Sequence, residues 1–150
     1  MVRYLSVLPF LVVVALIGMV GATFEPGAWY EALSKPPWTP PNWLFAPVWT
    51  ALYAMIAVAG WLGWQAEGMG GLTGLWIGQL ILNGAWSWLM FSRHGIGEAL
   101  VDIIALWIVV AAFTIRAWPA SRIASLLFMP YLAWTGFAAA LNFGIWVRNP

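Results

Sequence analysis

Residues 98–115 read EALVDIIALWIVVAAFTI, eighteen positions in which Glu98 and Asp102 are the only charged side chains. A helix rises about 1.5 Å per residue, and the hydrocarbon core of a bilayer is roughly 30 Å thick, so a run of this length is close to what a crossing needs. The pattern recurs on both sides of this stretch. Apolar spans predict helices over about residues 4–22, 43–64, 72–91, 98–116 and 121–147, separated by short polar or glycine-rich turns. The first run exceeds the roughly 7–15 apolar residues of a secretory signal, so it reads as a retained helix. Pro9 sits near its start, where a missing amide costs least. Between the first two spans, residues 23–42 hold five prolines together with Glu25, Glu31 and Lys35, and read as a loop. Asn42 is placed to cap the second helix. Lipid offers the backbone no hydrogen bonds, which leaves helices as the form for such spans. The expectation is an all-α integral membrane protein, residues 1–150 forming a single bundle of five transmembrane helices with a Pro/Trp-rich loop between helices 1 and 2.

Composition agrees with a membrane setting and removes several functions. Hydrophobic residues make up 63% of the 150 positions and charged ones 7%, where soluble domains carry roughly 25% charge. A net charge of +1 leaves no basic stripe for nucleic acid. The absence of cysteine excludes disulfides, zinc thiolates and iron–sulfur clusters, and His94 alone cannot build a metal site. No metal and no cofactor are expected. Three cationic side chains fall on each side of the predicted bundle, so the positive-inside rule leaves orientation open.

Few residues can carry polar chemistry. Lys35 is the only lysine and lies in a loop, which excludes a Schiff base inside the bundle. Asp102 lies about one turn into the fourth helix with Glu98 one turn before it, and reads either as a proton-coupling acid or as a structural one. In the third helix Gly70, Gly74 and Gly78 form a small-residue stripe suited to close helix approach, either within the bundle or in a homodimer. Gln79, Asn83 and Ser87 recur every four residues on another face and point inward. Tyr131, Trp134, Ala138 and Asn142 share one side of the fifth helix, and Trp49 and Tyr53 are one turn apart in the second. Indoles, phenols and carboxamides converging from three helices describe a pocket for a flat, mostly apolar ligand.

The ordered blocks are distinctive. Trp29-Tyr30, Leu33, Lys35-Pro36, Trp38, Pro40-Pro41, Trp43, Pro47, Trp49 and Leu52-Tyr53 come first. Gln79-Leu80, Leu82-Asn83, Trp86, Ala99-Leu100 and Asp102 follow, and Pro130-Tyr131-Leu132, Trp134, Phe137-Ala138 and Leu141-Asn142 close the series. Together they resemble the TspO/MBR family across nearly the whole chain.

That resemblance implies a five-helix receptor or sensor, with a pocket near one end lidded by the first loop. Its implied ligands are porphyrins such as protoporphyrin IX and haem-type tetrapyrroles, with a role in porphyrin handling or transport. The ligand-binding positions carried over are Tyr30, Trp38, Pro40, Pro41, Trp49, Tyr53, Asn83, Trp86, Trp134, Ala138 and Leu141. Light-dependent breakdown of protoporphyrin IX is implied as an alternative activity, with Trp49 and Trp134 at the catalytic positions. A porphyrin or sterol transporter is a further alternative, and sterols and lipids are further implied partners. Phe143 stands where the animal sterol motif has tyrosine, which weighs against cholesterol transport. A homodimer through helix 3 and a bacterial cell-envelope location complete the expectation.

Overall fold

The computed structural model describes residues 5–150, so the predicted helix start at Tyr4 lies outside the described residues. Among the described residues there are six α-helices: α1 (Leu8–Ala22), α2 (Gly27–Ala32), α3 (Phe45–Glu67), α4 (Gly71–Ser87), α5 (Ile96–Ala120) and α6 (Arg122–Trp146). A 3-10 turn, Asn42–Leu44, leads into α3, and a π-helical turn, Trp88–Ser92, extends α4. Five of these helices pack on one another in the order α1, α3, α6, α5, α4 and back to α1, which closes the bundle.

Three of these helices, counting the turn before α3, are long and apolar enough to cross a membrane: Asn42–Glu67, Ile96–Ala120 and Arg122–Trp146. The fourth apolar helix, Leu8–Ala22, is shorter. The outward faces are apolar, with Leu16, Ile81, Ile104, Ile108 and Ile123 all exposed. Water would penalise such a surface, whereas lipid tails match it.

Two local expectations are corrected. The segment 23–42 is not wholly loop, because α2 forms within it; Gly27, at φ +60°, supplies the left-handed backbone at its first residue. Asn42 does not cap the second helix, since it opens the 3-10 turn and α3 begins without any side-chain cap. At the start of α6 the cap does form: Ser121 Oγ accepts from the Ala124 amide at 3.3 Å. Pro119 and Pro130 are carried inside α5 and α6.

The main core joins Ile56, Leu72, Leu106, Phe113, Phe128 and Tyr131, all buried. Phe113 and Phe128 stack with centroids 4.0 Å apart, locking α5 to α6. Close approach of α3 and α4 depends on Gly60, where a Cβ would overlap the Trp76 indole; that indole donates to the Ile56 carbonyl at 2.9 Å. The α3–α4 turn is tied to the end of α5 by Glu67, which meets Arg116 at 3.3 Å and accepts from the Leu72 amide at 3.2 Å. A second, smaller core, Tyr30, Met90, Ala99, Leu141 and Ile145, lies at the opposite end and fixes α2 against the bundle.

Candidate functional site

A hydrogen-bonded chain crosses the middle of the bundle. Tyr53 Oη on α3 donates to Asn83 Oδ1 at 3.2 Å, and Asn83 Nδ2 on α4 donates to Tyr131 Oη at 2.9 Å. Tyr131 on α6 then donates to Gln79 Oε1 at 2.8 Å. Residues 79 and 83 are one turn apart, so α4 presents both carboxamides to the same phenol. Every donor points the same way, and the chain ends on Gln79 Nε2, which is buried without a partner. Asp102 Oδ2 is likewise buried and unpartnered. Glu98, expected on the same face, turns outward and pairs with Arg93 at 3.2 Å. Fully satisfied polar chains of this kind fix helix register in a low-dielectric interior, and open ends in them are costly.

Aromatic rings continue from this chain toward one end of the bundle. Trp49 lies against Tyr53, with centroids 5.3 Å apart, and edge-on to Tyr131 at 6.2 Å. Trp134 contacts Phe45 at 5.7 Å and Phe137 at 5.6 Å, and Phe137 meets Trp38 at 5.7 Å. These separations are those of favourable offset and edge-to-face pairs. The Trp134 indole nitrogen is buried and has no acceptor. Beside this wall, Val48, Leu52 and Met55 of α3 and Pro130, Trp134 and Phe137 of α6 line an open apolar groove of about 490 Å³.

The proline-rich segment covers that end. Asn149 holds Ser34 at both backbone groups: its Oδ1 accepts from the Ser34 amide at 3.0 Å, and its Nδ2 donates to the Ser34 carbonyl at 2.9 Å. Gly144 lets the segment lie directly on α6, because a Cβ there would stand 2.6 Å from Pro36 Cγ and 3.6 Å from Trp38 Cζ2. Tyr30 is buried, which pushes its phenol up from the ordinary value, and Lys35 Nζ sits 4.7 Å above its ring. On the far side of α2, Trp29 stacks on His94 at 4.0 Å.

Of the residues the sequence singled out, Trp49, Tyr53 and Asn83 meet at the polar chain, and Trp38 and Trp134 form the aromatic wall. Leu141 packs with Tyr30 in the smaller core, and Trp86 touches both cores while its indole donates to Asn142 Oδ1 at 3.0 Å. Ala138 packs against the main core. Pro40 is half-buried and Pro41 is exposed. On α4, Gly74 and Gly78 face open space, whereas the Cβ position of Gly70 is filled by Glu67. Four participants fall outside the expected ligand-binding set, Phe45, Phe137, Gly144 and Asn149, and of these only Phe137 belongs to the blocks that carry the resemblance. Phe137 follows Trp134 by three positions, a spacing that could have placed it on the same face. No local signal marks Gly144 or Asn149, whose partners in the proline-rich segment lie more than a hundred residues away.

Comparison with known proteins gives this arrangement its relatives. A sequence model of the TspO/MBR family matches residues 9–147, nearly the entire described bundle. The chain belongs to the TspO/MBR family. It is similar to Protein CrtK of Rhodobacter capsulatus, 37% identical over 145 residues that cover 94% of this chain and 91% of that one. The Translocator protein of Bos taurus is 40% identical over 151 residues, covering 93% and 88% respectively. The Tryptophan-rich protein TspO of Chlorobaculum tepidum is 42% identical over 141 residues, covering 89% of each chain. Membership of the TspO/MBR family and the three long apolar helices make this an integral membrane protein.

Proposed function

We propose that the protein is a membrane receptor or sensor that binds tetrapyrroles, protoporphyrin IX and haem-type ligands, against the aromatic wall beneath the proline-rich segment. The observation that carries this reading is the unbroken line Trp38, Phe137, Trp134 and Phe45, with Trp49 beside it on the polar chain. A macrocycle offers a wide apolar face for indole stacking, and its pyrrole nitrogens need no axial ligand from the protein. Relatives named tryptophan-rich sensory protein and translocator protein support a sensory or handling role. In this reading five helices cross the membrane: α1, α3, α4 with its π-turn, α5 and α6. Exposed apolar side chains along α1 and α4 support the two additional crossings. Open space at Gly74 and Gly78 supports a homodimer through α4, and the Rhodobacter and Chlorobaculum relatives support a bacterial cell envelope.

A second reading, light-dependent porphyrin breakdown, draws support from Trp49, an indole flanked by two phenols at 5.3 and 6.2 Å. Indole is far easier to oxidise than a phenyl ring. Titration with protoporphyrin IX in the dark, followed by absorption spectra under a matched light dose, separates the two. A receptor binds saturably and bleaches no faster than porphyrin in empty micelles. An enzyme yields a new product band that Trp49→Phe abolishes while dark binding persists. Absence of saturable dark binding contradicts both.

A further inference from the structure

Five cationic side chains lie among the described residues, and four are engaged by an acid or a ring. Arg93 pairs with Glu98, Arg116 pairs with Glu67, Arg122 lies 5.5 Å from the Trp118 ring, and Lys35 folds back over Tyr30. Lys35 also donates to the carbonyls of Glu31 at 3.1 Å and Leu33 at 3.3 Å. Arg148 differs. Its one hydrogen bond runs from Nη1 to the Gly144 carbonyl at 2.9 Å, and it has neither an acidic partner nor a ring among the described residues. A guanidinium presents several N–H donors in a planar fork and stays charged at any physiological pH. Most of that fork is open.

The place of this cation matters more than its freedom. Around the Cβ position of Gly144, Arg148 Nη1 and Trp38 Cζ2 each lie at 3.6 Å, with Pro36 Cγ at 2.6 Å. Arg148 therefore stands at the head of the line that runs through Trp38 and Phe137 to Trp134. Just past the end of α6, it is also where the bundle would meet the membrane surface, the depth at which an amphipathic ligand keeps its charged end. We infer that Arg148 recognises a carboxylate on the ligand, and that the site takes a flat aromatic acid whose rings lie along the wall while its acid group meets the guanidinium. This rests on the tetrapyrrole reading above and names the ligand group that the protein selects. Lys35, turned onto its own segment, takes no part. A carboxylate held by an arginine fork makes charge-assisted hydrogen bonds that an ester of the same acid cannot match.

The test compares protoporphyrin IX with its dimethyl ester, titrated in the dark by tryptophan quenching. The full chain is held in phosphatidylcholine nanodiscs, where lipid headgroups supply no carboxylate. Wild type should prefer the diacid by roughly tenfold, the equivalent of one charge-assisted bond. Arg148→Gln should remove that preference by weakening the diacid alone, Arg148→Lys should keep most of it, and Lys35→Gln should leave it intact. Equal weakening of acid and ester by Arg148→Gln would assign Arg148 to helix-end structure and overturn the inference while the tetrapyrrole reading survives. An unchanged preference in Arg148→Gln, or its loss in Lys35→Gln, would overturn it as well. If wild type binds neither porphyrin, both the inference and the reading beneath it fail.

Discussion

The two ends of the bundle are built on different principles. At the end formed by the α3–α4 turn and the α5–α6 junction, contacts are closed and internally matched. Glu67 answers Arg116 and the Leu72 amide, the Trp76 indole answers the Ile56 carbonyl, and Phe113 stacks on Phe128. From the middle of the bundle to the covered end, side chains are left with capacity to spare. Gln79 Nε2, Asp102 Oδ2 and Trp134 Nε1 are buried without partners there, and the Arg148 fork is mostly open. One end is a clamp, and the other keeps unmatched polar groups beside an aromatic wall. A protein can leave donors unmatched only where the rest of the fold holds them in place, and the clamp supplies that hold.

The comparison breaks most visibly if the clamp is overpacked. Gly60→Ala drives a methyl into the Trp76 indole, which must leave the Ile56 carbonyl. The expected loss is about 3 kcal/mol, the upper end of what overpacking costs. Thermal unfolding in detergent measures it, and a stability equal to wild type would show that the α3–α4 contact does not organise the bundle.

The polar chain gives a somewhat smaller effect. Asn83→Leu removes the acceptor of Tyr53 and the donor to Tyr131 together, leaving phenols without those partners in the interior. A loss of about 2 kcal/mol is expected from desolvated hydroxyls. Tyr53→Phe in the Asn83→Leu background should then cost little more, because the bond is already gone. Additive losses in the double variant would mean that the two residues are not coupled.

Least costly to the fold is a change on the outer face of α4. Gly74→Leu meets only open space in the monomer, so stability should hold within about 0.5 kcal/mol, as for other surface substitutions. Crosslinking in lipid should report fewer dimers for this variant. An undiminished dimer fraction would remove α4 from the interface.

The helices and part of the polar interior are legible in the sequence, whereas the division into two unlike ends is not. The long apolar runs located the helices, because lipid-facing and buried positions are both apolar and a span is hard to mistake. The four-residue recurrence of Gln79, Asn83 and Ser87 put both carboxamides of the polar chain on an inward face, although Ser87 does not join the chain, and the one-turn spacing of Trp49 and Tyr53 put that indole beside it. Local order inside the proline-rich segment was not legible: proline density argued for loop, yet α2 forms because Tyr30 finds a buried seat against Phe91 at 5.5 Å. Neither was the attachment of that segment. Ser34 and Asn149 are 115 positions apart, and nothing near either residue announces the other. Contacts made by backbone groups and by a missing Cβ leave no periodic trace in a sequence.

The central claim is that ligand binding belongs to the covered end and not to the clamp, and two tryptophans at opposite ends of the bundle, Trp134 half-buried and Trp118 exposed, test it directly. Trp134 lies in the aromatic wall, whereas Trp118 lies near the end of α5, beside Arg122. Titration of Trp134→Ala and Trp118→Ala with protoporphyrin IX in the dark compares the two ends under the same conditions. The account predicts that Trp134→Ala loses roughly tenfold or more in affinity, as expected for an aromatic anchor worth about 1–3 kcal/mol, while Trp118→Ala binds as wild type does. Equal loss in both variants, or full affinity in Trp134→Ala, would contradict it.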